Sequence, residues 1–95
     1  MLHRYWFTFV TTETPSVLHL GCGVTAKDIV DAKSLLESVV FPLLGRRELL
    51  NVIEDVDIST LEEDHVRPNM ASPMTRGVWF PLINSDVIRP ATEEP

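Results

Sequence analysis

Residues 29 to 40 constrain this chain more than any other stretch. Ile29, Ala32, Leu36, Val39 and Val40 recur at helical spacing along one stripe, with Leu35 beside it. Asp28, Asp31, Lys33, Ser34 and Glu37 fall mostly outside that stripe. A helix with one apolar stripe must bury it against another element, so a packing partner has to lie elsewhere in the chain. Thr25 is placed as N-cap, with Asp28 at the third helical position and Val24 and Ile29 able to form a hydrophobic staple. Pro42 disfavours helix at Phe41, which predicts an end near Val40.

The partner is a sheet. "RYWFTFV" (4 to 10) is aromatic and β-branched, and alternation sets Tyr5, Phe7 and Phe9 on one face and Trp6, Thr8 and Val10 on the other. "TTETPS" reads as a turn, and "VLHLGCG" (17 to 23) as the return strand of a hairpin, with Gly21 and Gly23 marking its end or a bulge. "ELLNVIEDVDIST" (48 to 60) fits either a strand or a helix; its β-branched residues and paired aspartates favour a strand. A short turn capped by Ser59, with Glu62 in the capping-box position, leads into the irregular "RPNMASPMTRG". "VWFPL" (78 to 82) is a final strand that Pro81 ends or pushes to an edge.

The expected class is therefore α+β: a two-layer sandwich of order ββαββ, with one main helix on a small mixed or antiparallel sheet. Residues 1–83 form a single domain, and 84–95 a Pro-rich, polar tail expected to fray. Over about residues 4 to 60 this element order resembles the β-grasp, or ubiquitin-like, fold. The terminal "TEEP" is not the diglycine of a conjugated modifier. Together "GCGVTAKD", "EDVDIST" and "HVRPNM…RGVWFP" resemble small bacterial proteins of unassigned function, a likeness that implies no activity.

Charge narrows the function. Fourteen acidic residues against eight basic give a net charge of −6 over 95 residues. An acidic surface repels phosphates and favours basic partners, so no nucleic acid is expected. The longest apolar runs, "VVFPLL" and "YWFTFV", are far short of a membrane span, and the first residues do not read as a signal peptide. One cysteine allows no internal disulfide. A cytoplasmic protein without membrane association is expected.

Several motifs invite chemistry. Cys22 lies three residues after His19 and near a helix start, the setting of a nucleophile, but on a strand the two point to opposite faces. His19-x-x-Cys22 is one loose ligand pair, with His3 and His65 remote, whereas structural zinc shows two compact pairs. Asp55-x-Asp57 resembles the first motif of haloacid-dehalogenase-like phosphotransferases, which also need a downstream lysine that this chain lacks. Read as a calcium loop, the stretch has Thr60 in place of the turn glycine and Val66 in place of the last glutamate. No metal and no cofactor are expected, Cys22 is expected in the core, and "EDVDIST" is expected to be a solvated strand end.

Two function classes remain. The first is a small acidic, non-catalytic protein-interaction domain of adaptor, inhibitor or immunity type, binding a protein partner or self-associating. Its contacts would be Trp6, Arg67, Asn69, Arg76 and Trp79, if the sheet face opposite the helix is open rather than covered by the C-terminal segment. The second is a small enzyme or ligand-binding protein using the 64–69 loop through Asp64, His65 and Arg67, with or without Cys22.

Overall fold

Four strands form one sheet in a computed structural model that describes residues 1–13 and 16–82. They are β1 (His3–Phe9), β2 (Cys22–Ala26), β3 (Leu49–Glu54) and β4 (Gly77–Phe80), in the order β3-β1-β2-β4, with every neighbour antiparallel. With one main helical stretch this is the α+β class expected, and of 48–60 the part Leu49–Glu54 is a strand while Ile58–Thr60 is a 3-10 turn. The ubiquitin-like likeness ends at element order. Here β4 pairs antiparallel with β2 at the sheet's edge. The expected tail, 84–95, lies outside the described residues.

The helix starts later than its local signal predicts. Thr25 and Ala26 stay in β2, and Asp28 is the N-cap, accepting the Asp31 N–H at 2.8 Å. The Thr25 hydroxyl is engaged elsewhere: it donates to the Pro73 carbonyl at 2.6 Å and accepts the Trp79 indole N–H at 3.0 Å. The helical path runs as α1 (Ile29–Leu35), one π-turn (Leu36–Val40) and α2 (Phe41–Leu44), so Pro42 does not end it. Proline cannot donate and crowds the carbonyl four residues back. The wider turn, in which Phe41 N–H reaches the Leu36 carbonyl, carries the chain past it.

Two apolar clusters flank the sheet. On the helix side lie Tyr5, Phe7 and Phe9 from β1, Cys22, Val24 and Ala26 from β2, and Ala32, Leu36 and Val40 from the helical stretch. On the other side Trp6, Trp79 and Phe80 are covered by Val56, Leu61 and Val66, with Ile58 and Met70 against them. That second face is therefore closed, by residues 56 to 70.

Three further expectations change. The return strand begins only at Cys22; Val17–His19 is a 3-10 turn capped by Ser16, whose hydroxyl accepts the Leu18 N–H. Asp57, not Ser59, caps the 3-10 turn Ile58–Thr60. In β4, Val78 pairs with Val24 and Phe80 with Gly23, leaving Trp79 as the extra residue of a bulge. Consecutive residues Trp79 and Phe80 thereby enter the same cluster, against strict alternation, while Val78 packs on the helix side.

Candidate functional site

The "GCG" triplet is a packing device. Trp6 pairs with Gly23 across β1 and β2, and its ring lies 5.9 Å from that of Trp79, nearly parallel at 28°. A Cβ built on Gly21 would lie under 3.0 Å from three atoms of the Trp6 indole, and one on Gly23 equally close to Trp79. Both glycines thus give room to a tryptophan. Cys22 between them faces the helix, and burial pushes its thiol up to about 12. A thiolate nucleophile needs the opposite shift. His19, in its exposed turn, does not share that core.

This geometry corrects the expected interface. Trp6 is 7% exposed and Trp79 1%, so neither can meet a partner. The indole N–H that would have been available at a surface is already satisfied by Thr25.

Residues 62 to 69 form a loop built around Glu62, exposed except at Val66. Burial pushes its carboxyl up, but the N–H groups of His65, Asp64 and Val66 and the His65 ring together hold it below its ordinary value. The His65 ring nitrogen lies 3.3 Å from Glu62, so its partner is Glu62 and not Asp64. Asn69 donates to the His65 carbonyl at 2.8 Å, and both residues border a cavity of about 420 Å³ with Val17, Leu43, Leu44 and Phe80. Arg67 lines a separate groove with Glu63, Pro68 and Met70 and joins none of the ion pairs among the described residues. The Asp64, His65, Arg67 constellation is therefore not assembled.

Arg76 is committed elsewhere. Its Nε donates to Asp31 at 2.8 Å in a bidentate pair that ties α1 to the approach to β4. The guanidinium hydrogen bond, with the Lys27 backbone N–H, holds the Asp31 carboxyl well below its usual range.

The sheet brings together two features that sequence reading missed. His3 Nδ1 lies 2.9 Å from Asp55, with Glu54 beside it, and one ligand atom from each falls within 4.8 Å of the others. These donors suit a divalent cation. The ring nitrogen is already hydrogen-bonded, though, and both carboxylates are exposed. The second feature is β3 itself, whose outer edge no strand pairs among the described residues. Leu50 is 68% exposed, Ile53 47% and Val52 37%. Apolar residues on both faces of an outermost strand were the available signal, obscured by the helix-compatible spacing of Leu49, Leu50, Ile53 and Val56.

The chain matches no family model, no curated protein and no solved structure. Among the described residues no helix is long and apolar enough to cross a membrane.

Proposed function

We propose that this chain is a small, acidic, non-catalytic protein-interaction domain that docks its partner along the free edge of β3. The observation that supports this reading is the exposure of Leu50, Val52 and Ile53 on an outermost strand. Edge strands offer unpaired N–H and C=O groups, and apolar side chains beside them add affinity when another strand docks. Charged residues commonly blunt such an edge, but here they stand at its ends: Arg46, Arg47 and Glu48 before the apolar run, and Glu54 and Asp55 after it. Adaptor, inhibitor and immunity-type roles fit such a module. A cytoplasmic setting is part of the proposal.

The test compares two baits, wild type and Leu50→Lys/Val52→Lys, immobilised and exposed to the same lysate at moderate salt. Both substitutions fall on exposed positions, so the fold should persist, as far-UV circular dichroism will check. Stoichiometric proteins held by the wild type and released by the variant are expected. Identical retention by both baits would sink the reading.

A second reading, ligand binding beside the 64–69 loop, is favoured by the apolar cavity with His65 and Asn69 at its border. A metabolite that raises the melting temperature of the wild type but not of His65→Ala would support it.

A further inference from the structure

Three of the chain's eight basic residues border one cavity of about 320 Å³ between the helical stretch and the start of β3. Lys33 comes from α1, and Arg46 and Arg47 from the connection into β3. Leu36, Phe41 and Leu49 supply its apolar wall. Two of the three cations are uncommitted, although the chain carries a net charge of −6. Arg46 forms a bidentate pair with Glu37 and lies 5.0 Å over the Phe41 ring. Lys33 and Arg47 join none of the ion pairs among the described residues. Arg47 makes one long hydrogen bond, 3.5 Å from Nη1 to the Arg46 carbonyl. Its Nε–H is shut off from solvent and has no acceptor, the only side-chain nitrogen or oxygen so placed among the described residues. Native folds rarely leave a buried donor unpaired, and one on a residue that walls a cavity marks where an acceptor belongs.

We propose that this cavity binds a small organic monoanion, a carboxylate on a compact apolar body, through Arg47 and Lys33. Neither Leu50, Val52 nor Ile53 borders it, so it stands apart from the docking edge. A guanidinium presents its Nε–H and one Nη–H as a parallel fork that matches a carboxylate. A turn of the half-buried Arg47 side chain brings that fork to the ligand and gives the Nε–H its acceptor. Lys33, exposed on α1, adds a point charge at the border. Charge balance sets the valence of the ligand. Arg46 neutralises Glu37, and Glu48 at the border offsets one of the two remaining cations. The single positive charge left over suits a monoanion and disfavours a dianion such as hydrogen phosphate. The apolar wall, and a volume at the small end of the range of about 300–1,000 Å³ for ligand pockets, call for a compact apolar body.

The experiment titrates the isotope-labelled full chain with phenylacetate. Phenylacetamide serves as its neutral counterpart, and inorganic phosphate as an anion without an apolar body. NMR follows the Arg47 Nε–H signal and the backbone amides of Leu36 and Leu49. Wild type should show saturable shifts at all three, with a midpoint between about 10 μM and 1 mM. Phenylacetamide and phosphate should each bind at least about tenfold more weakly, since each lacks one half of what the cavity offers. Arg47→Gln should weaken phenylacetate about tenfold or more, the loss expected when a charge-assisted hydrogen bond goes. Lys33→Gln falls on an exposed position where the fold should persist, and should weaken phenylacetate about threefold. No saturable shift up to about 10 mM phenylacetate overturns the site. Equal binding of phenylacetamide overturns anion recognition, and equal binding of phosphate overturns the apolar-bodied class. Shifts that saturate alike in wild type and both variants overturn the assignment to Arg47 and Lys33.

Discussion

At Gly23 the indole of Trp79 occupies the volume a Cβ would take, and at Gly21 the indole of Trp6 does the same. Gly21 also sits at φ +123°, a conformation side chains rarely adopt. Gly23→Ala must therefore shift a buried tryptophan. We expect a loss of about 1–3 kcal/mol, the usual range for overpacking a core. A urea titration followed by circular dichroism measures it, and a variant as stable as wild type would contradict the packing. Cys22 makes the complementary prediction. With its thiol raised to about 12 by burial, it should react with a thiol reagent only as fast as the fold opens. Labelling in native buffer as rapid as in urea would refute this. The sequence placed Cys22 in the core, but its reason for parting Cys22 from His19, alternation along a shared strand, does not hold, because His19 lies in a 3-10 turn and the strand begins at Cys22. What it could not show was why two glycines bracket Cys22, since the rings that require them arrive from β1 and from β4.

The same limit governs whole elements. Thr25 has the chemistry of an N-cap, and local reasoning assigned it one. Its hydroxyl is captured instead by Pro73 and Trp79, 48 and 54 residues away, and Asp28 caps the helix. Thr25→Val should leave the indole N–H and the Pro73 carbonyl without that partner in a buried place. The expected cost is about 1–3 kcal/mol, with Thr25→Ser close to wild type. Equal melting temperatures for the valine and serine variants would show the hydroxyl to be irrelevant. Pro42 was legible as a disturbance but not as a π-turn, because nothing local distinguishes ending a helix from widening it. The Trp79 bulge hides for a related reason: alternation is the default for a strand, and only pairing with β2 reveals the extra residue.

Over the whole molecule, class and element order were readable because hydrophobic period separates strand from helix. The covering of the second sheet face was not. Its residues, Val56, Leu61 and Val66, recur five apart, a spacing that matches neither a strand nor a helix. The candidate site moved accordingly, from Trp6 and Trp79 to Leu50, Val52 and Ile53. The Asp31–Arg76 pair joins α1 to the approach to β4 and should appear in acid stability. Asp31 has a folded pKa below its unfolded value, so its contribution is present above about pH 4 and lost as pH falls below that. Arg76→Ala should be less stable at neutral pH and lose less stability between about pH 5 and pH 2. Equal pH slopes for variant and wild type would remove the pair from the account.

The stacked Trp6 and Trp79 are the only two tryptophans, and the single tyrosine, Tyr5, lies across the sheet in the other cluster. The protein's indole emission therefore reports one side of the sheet alone, and its phenol the other. Two indoles 5.9 Å apart also couple as an exciton pair, whose signature is lost when the two rings part. Whether the two sides melt together can thus be read from the unlabelled chain by comparing indole and phenol signals through one thermal ramp.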